Sequence, residues 1–217
     1  MATRAICAGL LFFAGTSVAV AHDALLDQAL ARTALPVTDT QGMVRTTTTV
    51  TGGDEPEVET KTFDPRKEPK KAFASYAELK NVIGPDAHVV SQSTGKTTYA
   101  FTTRHVPRGF SEAGNITVSS DGKDDDTLFD GKAEVTTDGS GRPYVSHVDL
   151  HMHETAGNII AKVKRIDISY AFGPAADKDA IAATAMTVDV EVRALFFVHR
   201  RARAESTLVA SVGSTAP

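Results

Sequence analysis

The chain has a single cysteine, Cys7, and no tryptophan, and aromatic residues make up only 6% of it. Each shortage removes a class of function. Downstream of Cys7 there is no thiol, which excludes disulfides, thiolate metal sites and cysteine nucleophiles there. The lack of tryptophan disfavours stacking on a sugar ring. There is no basic excess either: the formal net charge is -4, without the electrostatic footprint of a nucleic-acid binder. The Gly-x-Ser-x-Gly elbow, the His-Glu-x-x-His zinc helix and the phosphate-binding glycine loop are all missing. The expectation is a protein that is not an enzyme and needs no cofactor. Without disulfides it must rely on an ordinary hydrophobic core.

What is present begins with an address. Arg4 precedes an apolar run over 5–20, closed by Ala19-Val20-Ala21 just before His22-Asp23. That is the pattern of an export signal with a small-x-small cleavage site. The run is about 16 residues, short of the roughly 20 needed to span a bilayer. Cys7 lies too early to be a lipid-anchored N-terminus. The expectation is removal of residues 1–21 and one domain over 22–217, working in the periplasm or outside the cell.

Along that domain, residues 22–34 read as a short helix with Leu25, Leu26, Ala29 and Leu30 as its apolar stripe, ended by Pro36. Two β-branched segments, 43–51 and 58–63, flank Gly52-Gly53-Asp54-Glu55-Pro56 and predict a hairpin. A polar linker covers 64–69. Ser75 and Glu78 form a capping box for a helix over 76–83, which Gly84-Pro85 stops. Strands follow at 89–93, 97–103, 129–137, 144–153, 159–172 and 184–198, with one more over 202–212. Residues 109–126 read as a loop with a short strand at 115–118.

Long strands with short connections imply an antiparallel sheet. Alternation assigns the faces. One carries Phe129, Ala133, Val135, Tyr144, Val148, Leu150, Met152, Ile166, Ile168, Tyr170, Phe172, Met186, Val188, Val190 and Val192. The other, wet face carries Asp130, Lys132, Glu134, His147, Asp149, His151, His153, Arg165, Asp167, Asp189, Glu191 and Arg193. The fold class expected is mainly β (α+β). A long curved antiparallel sheet or unclosed barrel would carry two short helices on its concave side.

Thr62-Phe63-Asp64-Pro65, Phe129-Asp130-Gly131-Lys132 and the strands over 159–208, with the leading helix and lid-like helix, carry a resemblance. The chain resembles the periplasmic outer-membrane lipoprotein carriers, the LolA-like fold, and exported proteins related to them. The resemblance implies an unclosed barrel whose apolar inside is lidded by helices and takes acyl chains.

Four polar features compete for attention. On a strand, His147, Asp149, His151 and His153 share one side, so His147, His151 and His153 are candidate ligands for zinc or copper. A solvated sheet face explains the same pattern. Asp121 and Asp124-Asp125-Asp126 make an acidic loop without EF-hand spacing. Asn115-Ile116-Thr117 matches a glycosylation sequon. Arg66, Lys67, Lys70 and Lys71, and again His199, Arg200, Arg201 and Arg203, are basic clusters suited to anionic headgroups or an acidic partner. Leu195 and Phe197, just before the second cluster, make that strand end apolar on both sides.

The leading expectation is a non-enzymatic binder of an apolar small molecule, acyl chain, lipid or lipoprotein. Transient membrane or lipoprotein contact would accompany it, without nucleic acid. Tyr99, Phe101, Val148, Leu150, Ile168, Tyr170, Val188 and Val190 would clamp the ligand. A structural or interaction module with a packed core, and a histidine-based metal binder, are the alternatives.

Overall fold

The structure, a computed structural model, describes residues 23–107, 109–113, 116–120, 124–157, 161–194 and 198–210. The expected export segment 1–21, His22, Asn115 of the sequon pattern, Asp121 and the Leu195-Phe196-Phe197 run lie outside the described residues.

Among the described residues, two short helices, α1 (Ala24–Leu30) and α2 (Leu79–Val82), accompany twelve strands. These are β1 (Met43–Thr51), β2 (Glu57–Phe63), β3 (His88–Ser93), β4 (Lys96–His105), β5 (Gly109–Ala113), β6 (Ile116–Ser120), β7 (Asp124–Thr137), β8 (Pro143–Met152), β9 (Ala156–Gly157), β10 (Ala161–Pro174), β11 (Ile181–Ala194) and β12 (Val198–Val209). The main sheet is antiparallel throughout, in the order β2-β1-β12-β11-β10-β8-β7-β4-β3, with β9 paired to β10. It does not close: β2 and β3 are its two edges. This is the mainly β architecture that alternation and short connections imply.

Both helices pack on one face. In α1 the Asp23 carboxylate caps the helix by accepting from the Leu25 amide at 3.1 Å. Leu26, Ala29 and Leu30, spaced to share one stripe, are buried. The capping box at Ser75 and Glu78 is formed in both directions, with both bonds at 3.3 Å. It opens a 3-10 turn (Tyr76–Glu78) that passes into α2, where a continuous helix is predicted. Tyr76, Leu79, Val82 and Ile83 are all buried from this segment. Helices of seven and four residues are too short to hold by propensity, so burial against the sheet holds them.

Several predicted boundaries move. The short strand expected at 115–118 is β6, but its surroundings are not the expected loop: β5 pairs with β6 as a hairpin that rests against β12 and β1, and Asp124–Asp126 open β7. Low apolar content masked β5. Val198, expected to close the strand over 184–198, belongs instead to β12 and pairs with Ala194 of β11, so the basic run His199–Arg203 lies on β12. The N-terminal helix ends at Leu30, short of residue 34.

One face assignment changes. A β-bulge at Ser146 breaks the register between Glu134↔His147 and Val135↔Val145, so Val145, not Tyr144, takes the fully buried position. Tyr144 sits half-buried at the core margin. Asp189 does lie opposite the apolar face, yet it is only 5% exposed, so that part of the outer face is not wet.

Two glycines are required. Gly52, in the β1–β2 turn, has φ of 94°, and a Cβ there would come within 1.9 Å of the His199 carbonyl oxygen. At Gly131, of the Phe-Asp-Gly-Lys segment, the Phe101 ring lies over the bare backbone, with ring atoms 2.2–2.7 Å from where a Cβ would stand.

Candidate functional site

The eight predicted clamping residues converge. Tyr99 and Phe101 (β4), Val148 and Leu150 (β8), Ile168 and Tyr170 (β10), and Val188 and Val190 (β11) belong to one buried cluster, each 0–5% exposed. Cross-strand registers Tyr170↔Val148, Ile168↔Leu150 and Ile168↔Val188 place them side by side. Over them lie Leu26, Ala29 and Leu30 of α1 and Leu79, Val82 and Ile83 around α2. Tyr76 meets Phe172 edge to face, with ring centroids 5.3 Å apart. The interior is thus an apolar concavity filled by its own side chains and by a helical lid.

The lid is tied down by a few polar contacts, those of Tyr76 buried and that of Tyr99 part-buried. Tyr76 Oη donates to the Ala29 carbonyl and accepts from the Val145 amide, both at 2.8 Å, and so joins both helical segments to β8. Tyr99 Oη donates to Asp23 Oδ2 at 3.1 Å, linking β4 to the cap of α1. Tyr170 Oη donates to the Pro107 carbonyl at 3.3 Å. Burial pushes the Tyr76 and Tyr99 hydroxyls up to about 12, with the Asp23 carboxylate adding to the effect at Tyr99. Burial raises Tyr170 as well. All three remain protonated donors at neutral pH.

Just beyond α1, Arg32 holds a four-member ion network. Its guanidinium is 3.0 Å from Asp138 and 3.1 Å from Asp179, and Arg142 pairs with the same two carboxylates. Asp138 also accepts from the Ser140 and Arg142 amides, at 2.9 and 3.0 Å, which shapes the β7–β8 turn. Hydrogen bonds from Arg142 hold the Asp138 carboxyl below its ordinary range. The network clamps the end of the lid to the β7–β8 and β10–β11 turns. These residues and Tyr76 are the site members that sequence reasoning missed. Arg32, Asp138 and Asp179 are each far apart in the chain, and only the turn signature Asp138-Gly-Ser-Gly-Arg142 marks one of them.

On the outer face the histidines do not converge. His147 Nε2 lies 3.1 Å from Asp149 and 2.9 Å from Ser169 Oγ. His153 Nδ1 lies 2.9 Å from Asp130, and His151 pairs with Asp167. Each imidazole therefore has its own carboxylate. Among the described residues no three His, Cys, Asp or Glu side chains gather where a metal ion could be held. The hydrogen bond to Asp149 raises His147, and the one to Asp130 raises His153. Asp167 and Asp189 face each other directly across β10 and β11, a like-charge contact relieved by Arg165, which reaches both at 3.0 and 3.4 Å. Arg201 chelates Asp189 from β12, with Nε at 2.8 and 3.2 Å from its two oxygens. That hydrogen bonding holds the Asp189 carboxyl low. A groove of about 740 Å³ runs over this face, lined by residues that include Asp86, Ala100, Asp149, Asp167, Ser169 and Arg203.

The two basic clusters are largely matched by acids. Arg66 pairs with Asp64 at 2.8 Å and Lys71 with Glu68 at 2.6 Å. On β12, Arg201 meets Asp189, Arg203 meets Glu205 at 2.7 Å, and Arg200 lies 3.9 Å from Glu57. Lys67 and Lys70 are exposed.

No family model matches the chain, and neither the curated proteins nor the solved structures compared with it hold a match.

Proposed function

We propose that this protein is a non-enzymatic binder of an apolar ligand, an acyl chain or lipid, taken up between the sheet and its helical lid after export and loss of residues 1–21. The carrying observation is the makeup of the interior. Eight large apolar side chains from four strands line one face, and what covers them is two short helices joined to the rest through a few polar contacts. A ligand that displaces the lid exchanges one apolar cover for another. Each buried chain methylene supplies about 0.8 kcal/mol, in place of the lid's own contacts. What opening must overcome is then chiefly the Tyr76 and Tyr99 hydrogen bonds and the Arg32 network. The resemblance to the lipoprotein carriers points the same way.

A second reading, a packed module that presents only its surface, is favoured by the near-complete burial of the same eight residues. One experiment separates the two. The exported protein is purified from a periplasm and examined by native mass spectrometry, with solvent extraction, then titrated with a fluorescent long-chain fatty acid. A co-purifying lipid or saturable uptake supports the binder. A clean apo mass with no saturable uptake by folded protein overturns it in favour of the packed module. A mass excess matching a metal returns attention to His147, His151 and His153.

A further inference from the structure

Among the described residues, two cavities away from the outer groove share lining residues. The larger, about 340 Å³, opens at the end of the sheet between the segment 37–42 and the β10–β11 turn. Its floor is apolar, with Leu35, Pro174, Ala176, Ala182 and Leu208. Its rim is polar and bridges the two loops: Lys178 Nζ donates to Asp39 at 2.7 Å, and Gln41 Nε2 donates to Asp177 at 3.4 Å. The smaller cavity, about 90 Å³, lies behind Leu35 and Ala182, which line both. Its far wall includes Phe73, Ala74, Ser75 and Tyr76. Tyr76 is itself a member of the buried interior cluster and packs on Phe172 there. The two cavities therefore adjoin at Leu35 and Ala182, and the smaller reaches Tyr76, so that polar rim, larger cavity, smaller cavity and Tyr76 form a connected series.

We propose that this series is the entry route to the interior, and that it selects a single unbranched acyl chain over a ring-shaped lipid. The inference rests on the apolar-ligand reading above. The larger cavity falls in the size range of small-ligand pockets, about 300–1,000 Å³, and has their composition of apolar walls with a few polar groups. The smaller one, about 90 Å³, is below the roughly 150 Å³ of a cavity that holds benzene, so it lacks the room to seat a ring. Leu35 is half-buried, and its amide donates to the Ile181 carbonyl at 2.8 Å. Its backbone is thus fixed to the start of β11, and the side chain is the part left to swing. The Tyr76 hydroxyl at the inner end is one of the contacts that hold the lid, so a chain arriving there meets the lid at its tie point.

The test is stopped-flow association of a fluorescent long-chain fatty acid with the exported protein and three variants. Thr184 is exposed and lines the larger cavity, so Thr184→Trp fills that space from outside the core. It should slow association by about tenfold or more, the scale at which added bulk in an apolar pocket is felt. Leu35→Trp should do the same, and Leu35→Ala should speed association. Unlabelled straight-chain acid should compete with the probe, and a sterol should not. If both tryptophan variants are folded by circular dichroism and associate at the wild-type rate, entry is elsewhere and the binding reading stands. If a sterol competes equally well, the proposed selectivity is overturned. If the wild-type protein shows no saturable uptake, both the binding reading and the route fall together.

Discussion

The two faces of β7, β8, β10 and β11 are built from the same strands by the same alternation, yet they end in different physics. On the inner face Val148, Leu150, Ile168 and Val190 are buried in one apolar cluster with residues of both helical segments. On the outer face Asp130, Asp149, Asp167 and Asp189 stand on four successive strands, and each is answered by a cation or imidazole. The inner face depends on shape and is intolerant of change. The outer face depends on pairing, and most of its pairs are exposed enough for water to take a partner's place. Asp189 is the exception, because Arg165 and Arg201 close over it.

The sharpest way to break the comparison is a matched pair of neighbours. Val148→Asp puts an unpaired carboxylate at a fully buried position and should cost on the order of 4 kcal/mol or more, enough to abolish the cooperative urea transition. The adjacent Asp149→Ala, on the exposed outer face, should stay within about 1 kcal/mol. Equal costs would refute the division between the faces.

Gly131→Val comes next. Its side chain would occupy the space of the Phe101 ring, and the strain should destabilise by about 3 kcal/mol. A double variant with Phe101→Ala should recover part of the loss in a double-mutant cycle. Independence of the two positions would contradict the packing described.

Tyr76→Phe removes one bond donated and one accepted, and it strands the buried Val145 amide. A loss of about 2 kcal/mol is expected, with raised amide hydrogen exchange confined to α1 and the residues around α2. If the lid is the labile unit, the same variant takes up a fatty-acid probe faster than wild type. Exchange rising evenly over the whole sheet would argue against a separable lid.

The smallest effect is the pH dependence of the outer face. His147 and His153 are raised above 6.5 in the folded protein, so their contribution is fully present below that unfolded value and is lost as pH rises through the folded one. Asp149 is lowered from 3.8 by its bond to His147, so its contribution is present above that value and is lost as pH falls through the folded one. The His147–Asp149 pair therefore stabilises most between the two. His147→Gln should flatten the loss of stability that wild type shows from about pH 5.5 to about pH 8.5, a difference that solvent screening keeps below about 1 kcal/mol. Identical slopes would remove His147 from the account.

The fold class, the capping box at Ser75 and Glu78, and the convergence of Tyr99, Phe101, Val148, Leu150, Ile168, Tyr170, Val188 and Val190 were legible in the sequence. Each rests on a local period or spacing. Of the β5–β6 hairpin only the second strand was legible, in Ile116-Thr117-Val118; β5 was not, and the hairpin's place against β12 and β1 is a long-range contact. The bulge at Ser146 was also hidden. Nothing local distinguishes Tyr144 from Val145 until β7 lies opposite, with its own register.

Backbone geometry decides which side of a strand a residue takes, and that geometry repeats every two residues, so outside the bulge at Ser146 sequence alone determined the two faces and the residues on each. What lies across from a face is decided by chain segments far away. Only the tertiary structure could bring Arg32 to Asp138 and Asp179, bury Asp189 under Arg165 and Arg201, and fill the concave interior with α1 and the residues around α2.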